Sequence, residues 1–77
     1  MQVKIHLVAF LKKYAPGDDN DFMQEIPHGA IVSDVIETLG IPVTIPRIAI
    51  VNGIPTAEDK PVNDGDEIIL MMPVEGG

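Results

Sequence analysis

From Val3 to Phe10 apolar and polar positions alternate, with Val3, Ile5 and Leu7 on one side and Lys4 and His6 on the other. Period two with β-branched enrichment predicts a strand with one buried face. After Lys12-Lys13-Tyr14, the run Ala15-Pro16-Gly17-Asp18-Asp19-Asn20-Asp21 carries strong turn chemistry and reads as a polar loop. Phe22, Gln24 and Ile26 then alternate against Met23 and Glu25, which predicts a second short strand antiparallel to the first. Pro27-His28-Gly29 ends it. Val32, Val35, Ile36 and Leu39 fall at helical spacing and form the apolar stripe of an amphipathic helix. Gly40 suits the left-handed position just past that helix, and Pro42 prevents its continuation. So short a helix cannot stand alone in water, so its stripe must lie on a sheet.

Arg47 to Val51 predicts a third strand, closed by the turn dipeptide Asn52-Gly53. A polar connector with Pro55 and Pro61 follows, and Asp64-Gly65 makes another tight turn. Glu67 to Met72 is the last strand, with Ile68 and Leu70 on one face and Ile69 and Met71 on the other. Apolar residues on both faces mean a central strand, or one whose outer face meets a partner. The order is β–β–α–β–β, with the long apolar strands first and last. A mixed sheet that pairs those two, with one helix across a face, satisfies the short-connection rules. That is an α+β fold of the β-grasp, or ubiquitin-like, arrangement. Its expected helix-side core is Val3, Ile5, Leu7, Phe22, Ile26, Val32, Val35, Ile36, Leu39, Ile68 and Leu70. Whether Ile48 and Ile50 or Ala49 and Val51 join that core stays open, because both pairs are apolar.

Composition narrows the function. A chain of 77 residues allows one domain, here residues 1–72 followed by a tail at 73–77. Without cysteine there is no disulfide framework, thiolate zinc site or redox dithiol, and a cytoplasmic protein is the expectation. Net charge is −7, and Lys4, Lys12, Lys13, Arg47 and Lys60 are scattered, so neither nucleic acid nor an anionic membrane is an expected partner. No apolar run reaches the ~20 residues of a membrane span, and the N-terminal stretch lacks a signal peptide's hydrophobic segment.

Most catalytic constellations are missing from the pattern. The glycines are spread singly except for the last two, so no loop cradles phosphate. The only serine, Ser33, lies beside the helix start, where a capping or exposed role is expected. His6 and His28 fall in different elements with no ligand spacing around them; His6 is expected on the open sheet face and His28 in a turn. Asp18-Asp19-Asn20-Asp21 fails as a calcium loop, because Phe22 and Met23 stand where an oxygen ligand and a glycine are needed. Asp64-Gly65-Asp66-Glu67 reads as a hairpin turn rather than a carboxylate site.

What remains is Pro73-Val74-Glu75-Gly76-Gly77. Five residues from Pro73 reach at most ~18 Å, enough to enter a partner's buried site. Glycine lacks a Cβ and fits a narrow channel. The turn Asp64-Gly65-Asp66-Glu67-Ile68 leading to Met72-Pro73-Val74-Glu75-Gly76-Gly77 resembles the MoaD/ThiS family of sulfur carriers. Val3–Phe10, Val32-Ser33-Asp34-Val35 and Val51-Asn52-Gly53 extend the resemblance over essentially the whole chain. The ending is more similar to the molybdopterin-synthase small subunit than to the thiamine carrier. Departures are Ile31, where the family often has a threonine cap, and Met71-Met72, where the molybdopterin branch commonly has aromatics.

The resemblance implies a carrier rather than an enzyme. An E1-like adenylyltransferase would use ATP to adenylate the Gly77 carboxylate, and the chain itself would bind no cofactor. A sulfur donor, a desulfurase or rhodanese-like protein, would convert the adenylate to a thiocarboxylate. Gly76 and Gly77 would carry the chemistry. Val8, Ile54, Ile69, Met71, Pro73 and Val74 would meet partners, on the sheet face away from the helix. The acceptor implied is the molybdopterin synthase large subunit, in a heterotetramer. The residues leave open a carrier for thiamine thiazole or tRNA thiolation, a ubiquitin-like modifier, or a β-grasp interaction module.

Overall fold

The computed structural model describes residues 1–73. The elements run β1 (Gln2–Leu7), a 3-10 helix (Ala9–Tyr14), β2 (Asp21–Glu25), α1 (Val32–Thr38), β3 (Ile48–Val51), β4 (Ile54–Thr56) and β5 (Glu67–Met71). They build one five-stranded sheet in the order β2-β1-β5-β3-β4. β1 and β5 pair in parallel at the centre, Ile5 beside Ile68 and Leu7 beside Leu70, and every other pairing is antiparallel. This is the β-grasp arrangement that the residue pattern predicts.

One face of the sheet is closed. Val3, Ile5, Leu7, Ile68 and Leu70 pack against Val32, Val35 and Ile36 of α1 with essentially no exposure. The register resolves the third strand: Ala49 opposes Leu70 and Val51 opposes Ile68, so those two face the helix while Ile48 and Ile50 face away. Leu11, Ala30, Ile41 and Val62 are core residues that period-based reading passes over, since Leu11 lies in the short 3-10 helix and the other three in connectors. Phe22 and Leu39 are only half-buried, the first because β2 is an edge strand, the second because it closes the helix.

Three expectations about elements change. The first strand stops at Leu7, and residues 9–14 wind into a 3-10 helix that drives Leu11 into the core and leaves Phe10 exposed. The stretch after Asn52-Gly53 begins not with a connector but with β4. Asn52 and Gly53 both take positive φ, 51° and 84°, the two-residue hairpin turn that suits this dipeptide. Pro55 is tolerated in β4 because the strand lies at the sheet edge. Asp64-Gly65 is a turn but not a hairpin, since β5 pairs with β1 and β3 rather than with β4.

The helix ends follow from local chemistry. Ile31 has no side-chain acceptor, so connector carbonyls serve instead: Val32 N–H donates to Lys60 O at 3.0 Å and Ser33 N–H to Glu58 O at 2.8 Å. The Asp34 carboxylate accepts the Ile31 N–H at 2.9 Å. Past the helix, Gly40 at φ +80° donates to Glu37 O and Ile41 N–H to Ile36 O, with Ile41 buried against the core. No helix among the described residues is long and apolar enough to cross a membrane.

Candidate functional site

Among the described residues nothing covers the second face of the sheet, and its polarity is graded. Cross-strand register places Asp21, His6, Ile69, Ile50 and Pro55 in one row across all five strands. One step toward the C-terminal end of β5, Met71 opposes Ile48, and Val8, whose N–H donates to Leu70 O at 3.0 Å, continues β1 alongside. One step the other way stand Met23, Lys4 and Glu67. The open face is therefore apolar where β5 ends and charged where β5 begins. Ile48 and Pro55 are exposed and Val8, Ile50, Ile69 and Met71 half-buried, an apolar platform with no structural reason to remain uncovered in a small domain.

Val8, Ile69 and Met71 thus share the face expected of them. Ile54 does not. It opposes Val51 across the hairpin, and opposed residues of an antiparallel pair point to the same side, so Ile54 lies on the helix side. It is 66% exposed because β4 extends past the cover that α1 provides. Pro73 is half-buried just beyond β5, while Val74, Gly76 and Gly77 lie outside the described residues. Sequence reasoning missed Ile48, Ile50 and Pro55. A two-residue hairpin at Asn52-Gly53 was the available signal, because it fixes which residues of β3 and β4 oppose each other.

The polar groups around this face are mostly structural. Asp64 Oδ1 accepts the Gln2 N–H at 2.7 Å, and Asp66 Oδ2 the Asn63 N–H at 2.8 Å. Asn52 Nδ2 donates to Asp66 Oδ1, and its own Oδ1 accepts the Glu67 N–H, both at 3.0 Å. The acidic turn is thus a hydrogen-bonded brace at the start of β5. His6 lies on the open face with its Nδ1 on the Asp21 carboxylate, and His28 stands in the turn after β2. Ser33 sits in the first turn of α1, two residues past the capping position at Ile31. Arg47 reaches Glu58 twice, at 3.0 and 2.9 Å, and donates to Pro42 O at 3.0 Å. The side-chain hydrogen bonding between Arg47 and Glu58 holds the Glu58 carboxyl below its usual range and raises the Arg47 guanidinium further. Among the described residues no group of three or more His, Cys, Asp or Glu could hold a metal ion.

A parallel central pair, a helix on one face and an uncovered apolar platform on the other define a ubiquitin-like protein of the β-grasp class. A family model described as Mut7-C ubiquitin matches residues 1–75, and the chain belongs to that family. Solved structures agree on the fold. A putative molybdopterin converting factor, subunit 1, from Pyrococcus furiosus superposes with a TM-score of 0.80 at 24% identity, covering 95% of this chain and 98% of that one. The SAMP1 crystal structure from Haloferax volcanii gives 0.78 at 21% identity over 100% of both chains. A second Haloferax volcanii structure, of small archaeal modifier protein 1, gives 0.78 at 20% identity, covering 95% and 98%. A search of curated proteins finds no match.

Proposed function

We propose that this protein is a cytoplasmic sulfur carrier for molybdopterin synthesis, a co-substrate of other enzymes rather than an enzyme. The observation that carries the reading is positional. The apolar platform of Val8, Ile48, Ile50, Ile69 and Met71 lies at the end of the sheet from which the chain runs on to Gly76 and Gly77. A partner seated on that platform would have the tail beside it, at high effective concentration. With Gly77 as the carboxyl end, its carboxylate attacks ATP on an E1-like adenylyltransferase and pyrophosphate leaves. The persulfide of a desulfurase or rhodanese-like donor then displaces AMP to give an acyl disulfide, and a thiol cleaves its S–S bond, leaving the thiocarboxylate on Gly77 and a disulfide on the donor. The molybdopterin synthase large subunit would be the acceptor, and likeness to a putative molybdopterin converting factor subunit supports that choice. Residues 73–77 act as the tail and residues 1–72 as the docking domain.

Likeness to small archaeal modifier protein 1 favours a second reading, in which a lysine amine takes the activated carboxyl and an isopeptide bond results. Intact-mass spectrometry after incubation with the adenylyltransferase, ATP and a sulfur donor separates the two. The carrier reading expects one oxygen exchanged for sulfur on the native chain. Deleting Gly77, or appending one alanine, should abolish the exchange, because the carboxylate is then displaced from the activating centre. Sulfur on the truncated chain would contradict the reading, and recovery of the native chain joined to lysines would replace it with the modifier.

A further inference from the structure

The two edges of the sheet are treated differently. At one edge β4 is three residues long and carries Pro55, which faces outward between the Ile54 and Thr56 pairs with β3 and has no N–H to offer. Such features block the addition of another strand. The opposite edge, β2, has none of them. Ile26 N–H donates to Met1 O and Leu7 N–H to Asn20 O, so the even-numbered residues of this segment bond to β1. Asp21, Met23 and Glu25 must then aim their N–H and C=O groups away from the sheet. Of these outward groups, only the Glu25 carbonyl has a partner among the described residues, the Gln24 amide at 3.3 Å. The same three residues oppose His6, Lys4 and Gln2, so their side chains stand on the open face: acid, methionine, acid.

From this edge we infer a second interaction surface, which pairs in antiparallel fashion with an extended segment of a partner protein bearing basic, apolar and basic residues at alternate positions. The outward amides supply the ladder, Met23, 55% exposed, supplies the apolar contact, and Asp21 and Glu25 select the flanking charges. Asp21 already holds His6, and Glu25 lies 3.7 Å from the Met1 ammonium, yet both carboxylates remain more than half exposed and can accept an incoming guanidinium. The same pattern disfavours a second copy of this chain. Two β2 strands paired about Met23 would set Asp21 opposite Glu25 twice, and directly opposed like charges destabilise a sheet. The surface uses none of the side chains that form the apolar platform.

The test uses the full chain and a capped five-residue peptide with arginine at the first and fifth positions, valine at the third and threonine between. At millimolar peptide, amide hydrogen exchange followed by NMR should slow at Met23 by about tenfold, with weakening at high salt. A peptide with glutamates in place of the arginines should not protect Met23. The double variant Asp21→Lys/Glu25→Lys should reverse the preference by about tenfold. Met23→Pro removes an outward N–H together with the apolar side chain, but no β1–β2 ladder bond, and should abolish binding; if it fails to fold, the charge reversal decides alone. No protection at Met23, equal binding of both peptides, protection centred on Ile69 and Met71 instead, or self-association through β2 would each overturn the inference.

Discussion

The two faces of this sheet are built from the same five strands and differ in what covers them. On the helix side, Val3, Ile5, Leu7, Ile68 and Leu70 have essentially no exposure. On the other side, Ile48, Ile50, Ile69 and Met71 are equally apolar in type but keep contact with solvent. Burial relative to the unfolded chain is worth about 25 cal/mol per Å² of apolar surface, so the first face supplies most of the stability and the second leaves part of its surface unspent. A small domain can bury one face of its sheet with one helix. The other face is then free to be selected for partners. On the proposed reading, apolar side chains on it serve association, whereas those opposite serve folding.

The largest effect expected is therefore on the closed face. Leu70→Ala removes a fully buried side chain from the central strand and should cost about 2–5 kcal/mol, read as a lowered midpoint in denaturant. A loss below about 1 kcal/mol would mean that the helix-side core is loosely packed. A smaller effect is expected from the Arg47–Glu58 pair, which ties the segment after α1 to the connector before β5. The pair is partly exposed, so Glu58→Gln should cost about 1 kcal/mol at neutral pH. The sign of its pH dependence follows from the lowered Glu58 carboxyl. The stabilisation is complete above the ordinary glutamate range and is lost as pH falls through the lower folded value. Thermal melts of native and Glu58→Gln protein should converge as pH falls below the ordinary glutamate range and through the lower folded value. A gap that stayed constant over that range would show that the carboxylate's charge is not what matters.

The closed face was legible in the residues because period two in β1 and helical spacing in α1 both report one buried side. The third strand was not. Ile48, Ala49, Ile50 and Val51 are all apolar, and only pairing with β5 assigns Ala49 and Val51 to the core. Leu11 and Val62 were hidden for another reason: single buried residues in a short 3-10 helix or a connector follow no period. β4 was missed because Pro55 argues against a strand unless the strand is known to lie at an edge. That omission moved Ile54 to the wrong side of the sheet. The tail's meaning, in contrast, came from residue types and resemblance and not from any contact.

Ile54 and Met71 sharpen the comparison with the smallest effect on stability. Both were candidates for the same partner surface, yet they stand on opposite faces and neither is a core residue. Met71→Asp places a charge among Ile48, Val8 and Ile69, where it stays hydrated from the open side, and should cost about 1 kcal/mol or less. Binding to the activating adenylyltransferase, measured by calorimetry, should nevertheless fall by at least about tenfold, because docking would desolvate an unpaired carboxylate. Ile54→Asp changes a more exposed residue by the same chemistry and should alter stability by no more than about 0.5 kcal/mol. Its binding should match native protein, since its side chain points away from the platform. If Ile54→Asp weakens binding as much as Met71→Asp, the partner wraps around the β4 edge and the division of labour between the faces fails. If Met71→Asp instead unfolds the chain, Met71 is core, and the uncovered face is part of the folding unit after all.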